Sequence, residues 1–347
     1  MGSIDKLPRW ILIVAALALV ARAYAEDATL WGYEGPDRTQ KLLEAAKKEG
    51  TLTLYTSISQ KDLPPLIAPF EQKYGIKVRV WRSSSENVLH RTVTEAAAKR
   101  FEVDAIHSTA IELESLYREK FLQPIHSPFH KELIPGALPA HRQWAATLLA
   151  VWVQAYNSGK IKKEDLPKTF EDLLHPKWKG ALGIESAVPD WYSTVVLSMG
   201  EEKGINFFRE LVKRNGISVR KGHSLLNNLV VAGEVPLALT VYNYMPETSK
   251  KSGAQIDWFA LDPAVARASG IGVVKRAPHP NAALLFYDYM LSVEAQTILL
   301  SMNYVPTSSK VPSQLGGLNI KMVDPAVALD QSDKWSKSFE DVIKQSK

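Results

Sequence analysis

The sequence predicts an α/β protein built as two lobes. Two observations carry this expectation. Short runs rich in β-branched and aromatic residues alternate with stretches of helical periodicity, the signature of layered α/β domains. The chain also has 347 residues, more than one hydrophobic core ordinarily organises, so a division into two is expected.

The amino terminus reads as a targeting segment. Lys6 and Arg9 flank the start of an unbroken apolar run over residues 10–20, and Ala23-Tyr24-Ala25 supplies small residues where a signal peptidase reads. The run of about eleven residues is too short to span a bilayer, which takes roughly 20. A Sec leader over residues 1–25, cleaved after Ala25, is therefore predicted, and the mature chain is expected in the periplasm. The chain contains no Cys, which excludes a lipoprotein anchor, disulfides, thiolate metal sites and Cys catalysis. Any metal would fall to His, Tyr and carboxylate. The formal charge of +5 falls to about +3 without the leader and is spread without a basic block, so nucleic acid is not indicated as a partner.

The mature chain opens as β-α-β-α-β. Residues 37–49 are expected to be helical, with Leu42, Leu43, Ala45 and Ala46 on one side and Gly50 as the stop. Strands are expected at 51–56, 76–81 and 103–107, and helices at 64–74, 86–100 and 111–119. Further strands are expected at 147–156, 181–184, 235–242, 256–261 and 269–274. Helices are expected from 191 to 199, from 204 to 214 and, as one amphipathic element, from 282 to 300. Phe207, Phe208, Leu211 and Val212 recur at helical spacing and read as core.

Serine-bearing turns follow each of the first three strands. Parallel strands place ligands at their carboxyl ends, where helix amino termini offer free N–H groups to anions and polar solutes. Ser57, the Ser83-Ser84-Ser85 run and Ser108-Thr109 all fall there; a single serine of this kind is more often an ordinary helix cap. In the second half, Glu185 and Ser186 follow a strand, Trp191 opens a helix with at least one ring of Trp191-Tyr192 expected toward a cleft, and a strand ends on Tyr242-Asn243-Tyr244. The candidate ligand residues are thus Ser57, Ser84, Ser108, Thr109, Glu185, Ser186, Trp191, Tyr242 and Tyr244. A cationic solute would favour the aromatics with Glu185 or Asp190; an anionic one would favour the serine turns with Arg82. The residues do not choose between the two.

Catalytic constellations are missing from the pattern. Neither G-x-S-x-G nor H-E-x-x-H occurs. The eight His are scattered, and Pro128 between His126 and His130 argues against a shared helix face. No enzymatic activity and no catalytic residue is predicted.

The segments GTLTLYTS, FEQKYGIKVRVW, LPKTFEDLLHPKWKG, AGEVPLALT and APHPNAALLFYDYMLSVEAQ, in this order behind a leader, resemble the periplasmic solute-binding proteins of ABC importers. The likeness is to the subfamily around the ferric-ion-binding proteins, whose relatives take thiamine, aminoethylphosphonate, sugar phosphates and polyamines. It implies the type II periplasmic binding fold, with an inter-lobe ligand cleft and crossovers near 151–157 and 253–258. Lobe one would hold residues 26–150 and 258–304, and lobe two residues 151–257 and 305–347. It further implies a monomer that closes on a small molecule and is read by a membrane permease, with no cofactor. A small organic or anionic ligand is the expected cargo. Ferric iron held by Tyr242 and Tyr244 is the alternative. Iron binders of the group resemble one another in pairing adjacent tyrosines with His, Glu or further polar groups and an anion. Here Asn243 splits the tyrosines, and Ser108-Thr109-Ala110 stands where a carboxylate is placed.

Overall fold

The computed structural model describes residues 30–313, 315 and 317–344, and the predicted leader lies outside them. The β-α-β-α-β opening comprises α1 (Arg38–Glu49), β1 (Thr51–Thr56), α2 (Leu63–Tyr74), β2 (Lys77–Arg82), α3 (Ser85–Ala97), β3 (Ala105–Thr109) and α4 (Ala110–Arg118). Helix α1 stops at Gly50, whose φ of 70° lies in the left-handed region and whose N–H returns to the Ala46 carbonyl. Strand β4 (Trp144–Asn157) is 14 residues long and almost entirely buried. There follow β5 (Leu182–Glu185), α5 (Pro189–Met199), α6 (Glu201–Asn215), β6 (Ser218–Arg220), α7 (His223–Val231), β7 (Leu237–Tyr242), α8 (Tyr244–Lys251), β8 (Ile256–Phe259) and β9 (Ala264–Val273). The chain closes with α9 (Pro280–Leu291), α10 (Val293–Ser301), β10 (Val305–Pro306), β11 (Ile320–Met322), α11 (Pro325–Asp330) and α12 (Ser332–Ile343).

The strands run in the order β2-β1-β3-β9-β4-β7-β5-β6, with β8 and β10 added on β4 and β11 on β9. Two parallel blocks are visible in this order. β2, β1 and β3 form one, and β7, β5 and β6 form the other. Between them β9 runs antiparallel to β3, β4 runs antiparallel to β7, and the two run antiparallel to each other. This is a curled α/β sheet of two lobes sharing a pair of long central strands; lobe one is here the part built on the β2-β1-β3 block and lobe two the part built on β7-β5-β6. Its site-forming consequence is geometric. β3 ends at Thr109, which pairs with Ser269, and Ser269 pairs with Leu148; β7 ends at Tyr242, which pairs with Trp152. The carboxyl ends of both parallel blocks therefore converge on the middle of β4 and β9.

Close packing of the central pair requires a glycine. A Cβ on Gly270 would sit 2.3 Å from the Ala145 carbonyl oxygen, closer than any side chain tolerates. Lobe one is filled by α9, buried along its length from Asn281 to Leu291, with Phe286 and Tyr289 against Phe70 at 5.0 and 5.3 Å between ring centroids. Lobe two is filled by an aromatic cluster of Phe170, Trp191, Tyr192, Phe208, Trp335 and Phe339. Burial of each such ring stabilises the fold by about 2–3 kcal/mol. Helix α12 supplies Trp335, Phe339 and Val342 at i, i+4, i+7 and packs them on α5 and α6.

Several expectations about elements change; the strand expected over 269–274 begins five residues earlier, at Ala264, and so includes Arg267. The helix expected over 282–300 is two helices, because Ser292 caps the second by accepting from the Ala295 N–H (3.4 Å). The third strand lies two residues later than expected. Asp104 is fully buried, and its side chain takes the N–H groups of Thr53 and His279, both at 2.6 Å, tying β1 to the head of α9. Tyr244 is not a strand end but the first residue of α8. No helix among the described residues is long and apolar enough to cross a membrane.

Candidate functional site

A cavity of about 300 Å³ opens where the two blocks meet, lined from both lobes and from the central pair. The central strands give Leu148 and Ala150 from β4 and Arg267 and Ser269 from β9. Residues two apart on a strand share a face, and Leu148↔Ser269 and Ala150↔Arg267 are directly paired, so these four form one floor. Lobe one adds Ser57, Ile58 and Ser59 after β1, Arg82 at the end of β2, Ser85 at the head of α3, and His107 and Thr109 from β3. Tyr242, Tyr244 and Tyr304 complete the lining.

The lobe-one wall is built to present donors. Arg82 Nε donates to the Ile58 carbonyl (3.1 Å), which fixes the guanidinium beside the serine turn. The Ser57 N–H bonds the His107 carbonyl (3.0 Å), joining the ends of β1 and β3. His107 is buried, with Nε2 on Thr147 Oγ1 (2.7 Å); burial lowers its pKa to about 4, so the ring is neutral at pH 7.

The opposite wall is aromatic. Trp152 and Tyr242 stack with centroids 5.2 Å apart, Tyr242 and Tyr244 stack at 5.8 Å with planes 10° apart, and Tyr244 meets Tyr304 at 5.4 Å. Among the described residues the Tyr242 and Tyr244 hydroxyls make no hydrogen bond, whereas Tyr304 donates to Asp62 Oδ2 (2.8 Å). Burial raises the Tyr244 phenol to about 12, the nearby Asp62 adding to the effect. Burial also pushes the Tyr242 phenol up, against the pull of Arg267. All are protonated at neutral pH.

Arg267 ties the floor to lobe two. Its guanidinium lies 5.0 Å from the Trp152 ring and its Nε donates to Asp190 Oδ2 (2.9 Å) at the head of α5. Among the described residues no carboxylate lines the cavity; of its two arginines, Arg267 is paired with Asp190, and the Asp62 and Glu112 carboxylates bond the Tyr304 and Thr109 hydroxyls at its edge. Among the described residues no cluster of three or more His, Cys, Asp or Glu could hold a metal. A metal placed here would draw on phenol oxygens.

The residues singled out from sequence distribute unevenly. Ser57, Thr109, Tyr242 and Tyr244 line the cavity. Ser84 does not; its side chain caps α3 by accepting from the Asn87 N–H (3.3 Å). Ser108 is fully buried between strands. Glu185 turns away to accept from the Gly222 N–H (2.9 Å), with the Ser186 hydroxyl on it at 3.4 Å, so both organise a loop. Trp191 faces the core, against Phe208 and Phe170 at 5.8 and 6.3 Å, not the cleft. Sequence reasoning passed over His107, Arg267, Ser269 and Tyr304. Arg267 left one usable signal, a lone charge inside the small and apolar run AVARASGIGV. Tyr304 left none, because its approach depends on the return of the chain from α10.

A two-lobed α/β sheet whose strand ends converge on an inter-lobe cavity lined by hydroxyls, arginines and phenols defines a periplasmic-type binding protein. The chain belongs to the bacterial extracellular solute-binding proteins, whose family model matches residues 113–335. It is similar to iron uptake protein A1 of Synechocystis, 27% identical over 329 residues that cover 89% of each chain. Two solved structures share the fold. The Trichodesmium protein crystallised with iron and citrate is 23% identical, with a TM-score of 0.73 and coverage of 84% of this chain and 99% of that one. Actinobacillus pleuropneumoniae AfuA with fructose-6-phosphate bound is 21% identical, with a TM-score of 0.68 and coverage of 85% and 99%.

Proposed function

We propose that this chain is the solute receptor of an ABC importer and that its cargo is ferric iron held together with a small oxyanion. One observation carries the reading: a wall of phenols faces a wall of arginine and hydroxyls across one cavity that no carboxylate lines. Phenolates are hard, charged oxygen donors that suit a ferric ion. The phenols must lose protons to bind it, and a trivalent cation supplies that driving force. Arginines beside a bare trivalent ion would repel it; an oxyanion on the Arg82 side, bonded by Ser57 and Ser59, removes the conflict. The names of the relatives support the metal, and the iron-and-citrate structure supports the pairing.

The Arg82 and Arg267 lining favours a second reading, an organic phosphate or carboxylate without metal, in line with the sugar phosphate in the AfuA structure. Calorimetry on ligand-stripped protein separates them. Ferric citrate binding much more tightly than citrate or fructose 6-phosphate supports iron, and the reverse order supports the organic anion.

The rest of the reading follows the fold. Lobe one takes residues 26–150 and 258–304, and lobe two residues 151–257 and 305–347. Closure about the centre of β4 and β9 buries the solute, and a permease reads the closed monomer. The chain turns nothing over and needs no cofactor. Export proceeds through Sec, with the leader removed after Ala25.

A further inference from the structure

Tyr242 and Tyr244 come from the end of β7, but the third phenol of the cavity arrives from elsewhere. Tyr304 follows α10, and the next residue, Val305, pairs with Leu149 of β4. Its ring meets Tyr244 and its hydroxyl bonds Asp62, which sits in the turn after β1.

The placement is held from both sides. Asn303 adopts a positive φ of 65°, a conformation disfavoured for most side chains. Its carbonyl accepts from Asn243 Nδ2 (3.0 Å) and its side-chain oxygen from Lys251 Nζ (2.9 Å). Asn243 Oδ1 in turn accepts from the Val151 N–H (3.2 Å). The residue that splits the two tyrosines in sequence is thus the bracket that fixes the third beside them.

We infer that Tyr304 is a third metal-binding phenol of the site, oriented by Asp62 and reaching Tyr244 across the lobe boundary; this rests on the ferric reading above. Three facts support it. Tyr304 lines the same cavity as the other two phenols. It donates to the Asp62 carboxylate, which fixes the direction of the hydroxyl and takes its proton when the metal binds, so that the phenolate then accepts from the protonated Asp62. It joins lobe-one Asp62 to lobe-two Tyr244, so a cation gripping both phenols holds the lobes together.

The test titrates full-length mature protein with ferric citrate, following the tyrosinate-to-iron charge-transfer band, in wild type, Tyr304→Phe and Asp62→Asn. Phe keeps the ring contacts and removes only the oxygen. The inference expects Tyr304→Phe to weaken ferric citrate binding by about tenfold or more and to reduce the band, while affinity for citrate alone stays unchanged. Asp62→Asn should give a smaller loss with the band shifted, a change a purely structural role would not produce. An unaltered band and affinity in both variants overturns the inference while leaving iron binding intact. A wild-type protein with no band overturns the ferric reading and the inference with it.

Discussion

The Arg267 guanidinium on β9 is bonded to the Asp190 carboxylate at the head of α5. The pair joins the floor of the cavity to lobe two. Asp190 is buried and Arg267 is partly exposed, 6% and 28% by side chain. Removing the anion strands a cation in a low-dielectric site. Asp190→Asn should therefore destabilise the protein by about 3 kcal/mol, at the lower end for a broken buried pair. Urea denaturation checks this; a midpoint shift worth less than about 0.5 kcal/mol would assign the pair no structural role.

Tyr242 carries both a stacking role and a chemical one. It is packed between Trp152, Tyr244 and His223. Alanine does not suit this position as a probe, because truncating a packed ring costs about 3–5 kcal/mol. Tyr242→Phe is the informative change. Its hydroxyl has no protein partner among the described residues, so stability should move by less than about 1 kcal/mol. Affinity for ferric citrate should fall by about tenfold or more. Affinity unchanged from wild type in both Tyr242→Phe and Tyr244→Phe would take the late-strand turn out of the site.

Iron capture should release protons. The Tyr244 phenol stands at about 12 and that of Tyr242 is also raised, each chiefly by burial, so both are protonated before the metal arrives. Each proton displaced adds about one log unit of apparent affinity per pH unit. Affinity should rise steeply from pH 6 to 8, and a pH electrode should record acidification on mixing at pH 7. A flat profile would mean the phenols stay protonated in the complex.

Acid should destabilise the free protein through His107. Burial lowers its pKa from the ordinary 6.5 to about 4. The unfolded chain therefore takes up a proton before the folded one does. The stabilisation is fully present above pH 6.5, shrinks as pH falls toward 4, and amounts to roughly 3 kcal/mol over that window. His107→Gln should flatten the pH dependence of unfolding free energy between pH 4.5 and 6.5. The same slope in the variant would assign the effect to other groups.

The fold was legible because it is written in local patterns. The run at residues 51–56 alternates and ends in a polar turn, and the strand occupies those residues. The first parallel block could be read from such runs; the second could not, because no run marks its strand Ser218–Arg220. The site was legible only where it lies next to a strand end in sequence, as with Ser57, Thr109, Tyr242 and Tyr244. Ser84 shows the ambiguity: a serine at a helix start caps the helix or meets a solute with the same residue type and spacing. Glu185 and Trp191 sit at equally suggestive positions, yet a loop N–H and a core of rings claim them. Arg267 and Tyr304 reach the cavity only through long-range strand pairing, which no local pattern encodes.

Ferric citrate titrated into ligand-stripped mature protein, with the visible spectrum recorded, tests the central claim most directly. A tyrosinate-to-iron charge-transfer band should appear, saturating at equimolar iron and fading in Tyr242→Phe and Tyr244→Phe. No band, with citrate or fructose 6-phosphate binding as tightly alone as with iron, would contradict it and leave the cavity as a site for an organic anion.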